Sequence, residues 1–205
     1  IRSIDPDSLS AELNELFKQS NMSIVQCNML MSAELLQLMQ LFEENSIDAM
    51  AFKGPVLGEM AYGSVTLRQY GDLDVLIKKD DIDKALSLLF ERGYTPEIEL
   101  QKSTLETFYS CVNVIGLQRG SVRVEIHWEL LSKNYAIEWD EEKLWAESET
   151  IEINRQPIKM LSFENHILYL CAHGAKHLFE RLEWICDIDR AIRTQDNVDW
   201  DHLIL

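Results

Sequence analysis

The chain has 205 residues, enough for one large domain or two small ones and for a core that needs no disulfide or metal to hold it together. Its 46% hydrophobic and 26% charged residues are typical of a globular protein and exclude low-complexity and collagen-like classes. Nineteen basic and 35 acidic residues give a net charge of −16 at pH 7, which disfavours binding to nucleic acid or to anionic lipid.

The N-terminal segment, residues 1–46, is predicted to be helical. Apolar residues between Ser8 and Glu44 recur at helical spacing, and Asn45-Ser46 ends the pattern. We expect the methionines of this segment to fill the core, because their flexible side chains pack well in irregular gaps. These methionines are Met22, Met29, Met31 and Met39.

The central segment, residues 47–161, alternates strands and helices and is predicted to form an α/β core. Helices are predicted at Val56–Tyr62 and Ile82–Arg92, and turn residues between neighbouring β-rich runs predict two hairpins. The predicted strands are Ile47–Phe52, Leu73–Ile77, Phe108–Leu117, Ser121–Trp128, Thr150–Ile153 and Ile158–Leu161.

The C-terminal segment, residues 162–205, is predicted to be helical again. Ser162 suits the N-cap of a helix that continues to about His173, and Gly174 is expected to interrupt or bend it. The order of helices, mixed α/β region and helices predicts an α+β protein with a small sheet. An apolar stripe continues after Gly174 with Leu178, Leu182, Ile185, Ile188 and Ile192.

Two carboxylates mark the predicted strand Leu73–Ile77. Asp72 and Asp74 are two residues apart, so they project from one face while Leu73 and Val75 enter the core. Neighbouring carboxylates repel each other, and a hard divalent cation bridged to substrate phosphates is the usual compensation. A lone Asp-x-Asp also occurs as two solvated side chains at a strand end, so the pattern needs support from elsewhere in the chain.

That support comes from two other places. In the second strand of the first hairpin, Arg123, Glu125 and His127 share one face, and Glu125 could complete a carboxylate triad of the kind that holds two metal ions in nucleotidyl transfer. Lys53-Gly54 lies between a strand and a helix start, where backbone N–H groups, the helix dipole and a lysine can receive a phosphate.

A series of segments in fixed order links these features: Phe52-Lys53-Gly54, Tyr62, Arg68, Asp72–Ile77, Glu125–Trp128, and His173–His177 followed by Leu182 and Asp187. The series resembles the uncharacterised nucleotidyltransferase family of the DNA polymerase β-like superfamily. The resemblance covers about residues 48–191, and it implies a polymerase β-like core, a small mixed sheet with packed helices, flanked by N- and C-terminal helices.

The resemblance also implies roles for individual residues. Asp72 and Asp74 would be the metal-binding pair, and Glu125 would be the third carboxylate, which also helps to deprotonate the acceptor hydroxyl. Lys53 and Gly54 stand where the superfamily has a Gly-Ser or Gly-Gly phosphate loop, so they are the expected contacts of the triphosphate. The lysine is a departure from that loop and leaves open which phosphate is held.

Arg68 and His127 have two interpretations each. Arg68 lies in a longer loop than is common in the superfamily, where it could bind a nucleotide phosphate bidentately or pair with a nearby carboxylate. His127 could orient Glu125 or the acceptor, or be a hydrogen-bonded histidine at the edge of the core.

Three residues near the C-terminus are candidates to face the substrate. His173 and His177 are four residues apart and share a face of an unbroken helix, and Lys176 lies beside them. The resemblance favours contact with the substrate or triphosphate, and a structural role is the alternative. Zinc binding would need a third ligand that the sequence does not show. His166 gives no functional signal.

The sequence therefore predicts a Mg²⁺-dependent nucleotidyltransferase, with Mn²⁺ as the alternative ion. It would transfer a nucleoside monophosphate from an NTP to a small-molecule or protein acceptor and release pyrophosphate. One alternative is a catalytically inactive, antitoxin-like binding module. Another is a glycosyltransferase that uses Asp-x-Asp with a nucleotide sugar, although no doubly wound nucleotide-binding half precedes the motif.

The expected location is the cytoplasm. No stretch approaches the 18 apolar residues of a membrane span, and the first five residues do not resemble a signal peptide. The four cysteines have no CxxC spacing, so they are expected to be buried, reduced thiols. The oligomeric state is not predicted by the sequence.

Overall fold

The computed structural model describes residues 10–98, 109, 111–132, 135 and 139–204. Within these ranges the strands form one mixed sheet. They are β1 (Ala49–Phe52), β2 (Leu73–Ile77), β3 (Thr95–Pro96), β4 (Val114–Arg119), β5 (Val122–His127), β6 (Glu149–Ile153) and β7 (Gln156–Met160). Their order across the sheet is β3-β4-β5-β2-β1-β7-β6.

Helices precede, interrupt and follow the strands, which confirms the predicted α+β class. They are α1 (Ala11–Glu44), α2 (Gly54–Tyr62), α3 (Ile82–Glu91), α4 (Glu141–Ala146), α5 (Phe163–Lys176), α6 (Leu182–Arg193) and α7 (Trp200–Ile204), with a 3₁₀ turn at Lys79–Asp81.

Strand β2 lies at the centre of the sheet and every residue in it is buried. It pairs antiparallel with β1 and parallel with β5, while β4–β5 and β6–β7 are the two predicted hairpins. Because side chains alternate along a strand, Leu73, Val75 and Ile77 face one side of the sheet and Asp74 and Leu76 face the other.

The two faces of the sheet carry separate apolar cores. The first core lies under α1 and α3 and includes Leu38, Val75 and Leu86. The second lies under α5 and α6 and includes Phe52, Leu76, Ile167, Leu170 and Ala191. Asp74 therefore projects into the layer that the C-terminal helices cover.

Helix α1 is longer than its packing surface. Its 34 residues extend about 51 Å at 1.5 Å per residue, and the buried positions begin at Asn28. Met31 is buried as predicted, but Met22 is 62% exposed and Met29 is also exposed, so the prediction that these methionines fill the core was wrong for both. The first half of the helix extends past the sheet, where no described element covers it.

Strand β4 begins later than its β-rich sequence indicated. The predicted start, Phe108, lies outside the described residues, and Tyr109 and Cys111 have helical geometry, so the strand starts at Val114. The sequence pattern did not predict this later start, because a short apolar run can form either a strand or a helical turn.

Gly174 does not interrupt the C-terminal helix, contrary to prediction. Helix α5 continues to Lys176 and the glycine is buried within it. A Cβ atom at this position would lie 2.2 Å from Cε1 of Phe179, so the glycine permits close packing of that ring against the helix. Leu178 and Phe179 then take positive φ angles of 54° and 49° as the chain turns back.

The apolar stripe after Gly174 is only partly buried. Ile188 and Ile192 pack against the second core, but Leu178 is 89% exposed, and Leu182 and Ile185 are also exposed. The turn at Leu178 and Phe179 separates α5 from α6, so residues with helical spacing before and after it do not lie on one helix face. In the described ranges, no helix has the length and apolar character needed to cross a bilayer.

The cysteines differ from the prediction in their burial. Cys27, Cys111 and Cys186 are exposed, and Cys171 is half-buried, where burial raises the pKa of its thiol.

Candidate active site

The centre of the site is built by strand register. Parallel pairing of β2 with β5 sets Asp74 opposite Glu125, and antiparallel pairing of β1 with β2 sets Phe52 opposite Asp74. Lys53, the residue after Phe52, therefore lies beside Asp74. The expectation that Glu125 lies on a strand next to the Asp-x-Asp strand is confirmed.

Asp74 is a buried carboxylate that Lys53 and His127 contact on one oxygen. Its Oδ1 lies 2.7 Å from Lys53 Nζ and 3.2 Å from His127 Nε2, while Oδ2 has no hydrogen-bond partner among the described residues. Burial opposes ionisation of Asp74, but the Lys53 ammonium and His127 outweigh burial and hold its pKa well below the usual range. Asp74 is therefore ionised at neutral pH.

Glu125 and Asp72 share the guanidinium of Arg123. Arg123 Nη1 lies 2.7 Å from Glu125 Oε1 and 3.0 Å from Asp72 Oδ2, and the same guanidinium contacts Glu97. A hydrogen bond with His127 lowers the pKa of Glu125 against the effect of burial. Burial, followed by the negative charge of Asp74, raises the pKa of Asp72.

One group of side chains in the described part of the chain is compact enough to hold a metal ion. One ligand atom each from Asp74, Glu125 and His127 lies within 4.8 Å of the others. Asp72 is not in this group, and its carboxylate contacts Arg123. The unpartnered Asp74 Oδ2 and the neighbouring carboxylate oxygens suit a hard cation such as Mg²⁺ or Mn²⁺, whereas the imidazole would favour a softer ion.

Lys53 and Gly54 form the turn between β1 and α2. Lys53 has φ 54° and ψ −147°, which a side chain disfavours, and its backbone N–H donates to His166 Nε2 at 3.2 Å. Gly54 has φ 39°, and a Cβ atom there would lie 3.3 Å from the backbone oxygen of Asp72. The turn therefore presents the N-terminus of α2 and a lysine next to the carboxylates, as the sequence predicted.

Arg68 is paired with a buried carboxylate. Its Nε lies 2.9 Å from Oδ2 of Asp187 on α6, and Tyr62 donates a hydrogen bond to the other oxygen of that carboxylate. Of the two interpretations of Arg68, this geometry matches pairing with a carboxylate. Its contact with a nucleotide remains a proposal.

His173 and His177 lie on one face, as their spacing predicted. Their ring centroids are 4.9 Å apart, and each ring packs against Trp184 of α6. Burial, followed by the charge of Lys53, lowers the pKa of His173 to about 4. Lys176 is exposed, with its ammonium over the ring of Tyr135.

Comparison with known sequences identifies the family. Residues 1–205 match the family described as uncharacterised nucleotidyltransferase. The chain belongs to this family. The match confirms the resemblance drawn from the sequence and the prediction of a nucleotidyltransferase. No curated protein sequence matches the chain.

Solved structures share the fold at low sequence identity. The antibiotic-resistance factor ANT(2'')-Ia is 13% identical with a TM-score of 0.56, covering 82% of this chain and 85% of that one. The lincosamide antibiotic adenylyltransferase LnuA, solved with lincomycin, is 15% identical with a TM-score of 0.53, covering 80% and 97%. These likenesses confirm the polymerase β-like nucleotidyltransferase fold predicted from the sequence.

A further neighbour is an antigenic nucleotidyltransferase-like protein from Paracoccidioides brasiliensis. It is 18% identical with a TM-score of 0.51, covering 82% of this chain and 76% of that one. ANT(2'')-Ia has also been solved in complex with adenylyl-2''-tobramycin; that structure is 14% identical with a TM-score of 0.54, covering 80% and 88%.

Sequence reasoning missed three residues of the site. His166 is fully buried and accepts a hydrogen bond from the backbone N–H of Lys53. Its position between Phe163 and Ile167, on the apolar face of α5, was the sequence feature that could have predicted its burial. Arg123 was assigned to the polar face of its strand but not to a role. Tyr169 lies under Lys53, with the ammonium 5.7 Å from its ring centroid.

Proposed function

We propose that the protein transfers a nucleoside monophosphate from an NTP to an acceptor hydroxyl and releases pyrophosphate, with Mg²⁺ as the cofactor and Mn²⁺ as the alternative. One observation carries the proposal. Asp74 and Glu125 lie opposite each other on adjacent parallel strands, directly beside the Lys53-Gly54 turn at the start of α2. Carboxylates next to a helix N-terminus and a lysine are suited to hold a polyphosphate and its counter-ion.

The residues divide the chemistry between them. The acceptor oxygen attacks the α-phosphorus, the bond from that phosphorus to the α–β bridging oxygen breaks, and pyrophosphate leaves with the bonding electrons. The acceptor proton passes to Glu125, whose lowered pKa keeps it ionised at neutral pH. Lys53 and the backbone of Gly54 bind the phosphates that leave.

Asp74 and Glu125 would hold the metal ion, with His127 at the side and Asp72 able to join when its carboxylate turns from Arg123. When bound, the ion supplies charge neutralisation for the phosphate oxygens. His127 contacts both Asp74 and Glu125, so its role is to orient the two carboxylates.

The remaining candidates are placed around this centre. His173 and His177 continue a row of rings that starts at Tyr169 under Lys53, so we place them on the side where the nucleoside or acceptor enters. Lys176 and Arg68 are proposed to add positive charge for the triphosphate. Arg68 would donate to a phosphate oxygen through guanidinium nitrogens other than the Nε that contacts Asp187.

A small-molecule acceptor is favoured over a protein acceptor. The net charge of −16 disfavours nucleic acid as the acceptor. Two structures of the same fold hold an antibiotic or an adenylylated antibiotic: lincomycin in LnuA and adenylyl-2''-tobramycin in ANT(2'')-Ia. These complexes support adenylyl transfer to a small hydroxylated molecule as the first activity to assay.

The test is calorimetric binding of each NTP with and without Mg²⁺, to the wild type and to Asp74→Asn. We expect Mg²⁺ to increase NTP affinity in the wild type and Asp74→Asn to lose this gain. Asp80→Asn, at an exposed carboxylate just beyond the same strand, is the matched control and should keep it. A folded wild type that binds no NTP under either condition would contradict the proposal and favour the binding-module alternative.

A further inference from the structure

The Lys53 ammonium lies where a cation bound to Asp74 would lie. Lys53 Nζ is 2.7 Å from Asp74 Oδ1, with the lysine side chain 14% exposed and the aspartate side chain 0% exposed. The rings of Phe52 and Tyr169 flank the ammonium, with centroids 5.9 Å and 5.7 Å away. Solvent therefore reaches this ion pair poorly, and the two charges compensate each other.

The backbone holds Lys53 in this position. A positive φ of 54° is unfavourable for a residue with a side chain, and the hydrogen bond from the Lys53 N–H to buried His166 helps to maintain it. The register that sets Phe52 opposite Asp74 fixes the turn relative to the carboxylate. The contact is therefore part of the fold rather than a chance approach of a long surface side chain.

A divalent ion and this ammonium compete for one carboxylate. Asp74 Oδ1 already accepts from Lys53 and His127, and a cation at the Asp74–Glu125–His127 group would lie within a few ångströms of the ammonium. Like charges at that distance repel strongly where solvent is scarce. Helix α2 begins at Gly54, the residue after Lys53, and a helix N-terminus binds phosphate groups. A nucleotide phosphate bound there would give the Lys53 ammonium a second anion to pair with.

We propose that Lys53 is a tethered cation that keeps divalent metal off Asp74 until the phosphates of the nucleotide take up its ammonium. Metal and nucleotide therefore bind cooperatively, and the site does not load metal by itself. This inference rests on the proposed function, since it assigns the order in which the same site fills.

The first test is Mn²⁺ binding without nucleotide, measured by electron paramagnetic resonance. Lys53→Met keeps the length of the side chain and removes its charge, and it should bind Mn²⁺ at least tenfold more tightly than the wild type. Lys78→Met is the matched control. Lys78 directly follows the last residue of β2 and pairs with exposed Asp48, so its substitution should leave Mn²⁺ affinity unchanged. Equal or weaker Mn²⁺ binding by Lys53→Met overturns the proposal.

The second test is reciprocal and does not depend on the folding of Lys53→Met. In EDTA, Asp74→Asn releases Lys53 from its carboxylate and should bind inorganic tripolyphosphate about tenfold more tightly than the wild type, while Lys53→Met binds it more weakly. A purely structural ion pair would weaken binding in both variants. Asp74→Asn that binds tripolyphosphate no better than the wild type overturns the proposal even if Lys53→Met is unfolded.

The two ideas fail separately. If Lys53→Met gains no Mn²⁺ affinity but the wild type turns over an NTP, the tethered cation is wrong and the nucleotidyltransferase proposal stands. If both binding tests succeed and no NTP is bound or turned over by the wild type, the reaction is wrong and the competition between Lys53 and metal stands.

Discussion

Asp187 of α6 forms an ion pair with Arg68 in the loop between α2 and β2. The two side chains are 2.9 Å apart, with Arg68 11% exposed and Asp187 1% exposed, and Tyr62 donates to the same carboxylate. This contact joins residues 119 positions apart and attaches the C-terminal helices to the segment that leads into the carboxylate strand.

Removing Asp187 should destabilise the fold strongly. Asp187→Ala leaves a largely buried guanidinium without its partner and Tyr62 without its acceptor, so we expect a loss of about 3–5 kcal/mol in the free energy of unfolding. Asp189→Ala on the same helix removes an exposed pair with Arg193 and should cost about 0.5 kcal/mol or less. Urea unfolding of both variants measures the difference, and equal losses would contradict the structural importance of the buried pair.

Glu125→Gln should remove most turnover while the protein stays folded. The amide keeps the shape of the side chain but cannot accept the acceptor proton, and we expect kcat to fall about 10²- to 10⁴-fold. Glu97→Gln is the matched control, because Glu97 also pairs with Arg123 but is outside the metal-ligating group. The measurement is pyrophosphate release once an acceptor is identified, and a Glu125→Gln enzyme with wild-type kcat excludes Glu125 as the base.

His166 should make the protein less stable in acid. Burial lowers the pKa of His166 to about 3, whereas an unfolded histidine has a pKa near 6.5. Below about pH 6.5 the unfolded chain takes up a proton that the folded chain excludes, so stability falls as pH decreases towards 3.

The test of this linkage is His166→Gln, which can still accept the hydrogen bond from Lys53 but does not titrate. Between pH 7 and pH 5, the wild type should lose about 2 kcal/mol more than the variant does, because His166 of the unfolded chain takes up a proton below about pH 6.5 and His166 of the folded chain stays neutral. Urea unfolding at the two pH values gives both changes, and a wild-type-minus-variant difference that is independent of pH would contradict the burial of a neutral His166.

Gly174→Ala should destabilise a helix that alanine would ordinarily favour. In an unobstructed helix interior the change gains about 1 kcal/mol, but here the new Cβ would overlap the Phe179 ring, and overpacking costs about 1–3 kcal/mol. In a Phe179→Ala background the same change should become stabilising. A Gly174→Ala effect with the same sign in both backgrounds would show that the ring is not the obstacle.

The alternating residues of two strands account for the part of the site that was predictable. Period-two spacing placed Asp72 and Asp74 on one face of their strand, and it placed Arg123, Glu125 and His127 on one face of a second strand. The turn residues Lys53 and Gly54 predicted the start of a helix. These are local properties, since they depend on neighbours within a few positions. The α+β class and most element positions followed for the same reason.

Local patterns failed where a distant residue decides the outcome. Gly174 was predicted to break α5 because glycine weakens helices, but Phe179 packs against it and the helix continues. Met22 and Met29 have the spacing of core residues, yet α1 extends past the sheet there. Helical spacing records which residues share a face but not what covers that face.

The sequence by itself determined the order of elements, the faces of the strands and the set of side chains available for chemistry. Only the tertiary structure decided that Glu125 stands opposite Asp74, that Asp72 turns to Arg123, and that Lys53 pairs with Asp74. The physical reason is that these contacts join residues up to about 50 positions apart. They are set by strand register and by the electrostatic compensation of buried charges, which depend on the whole packed fold rather than on local spacing.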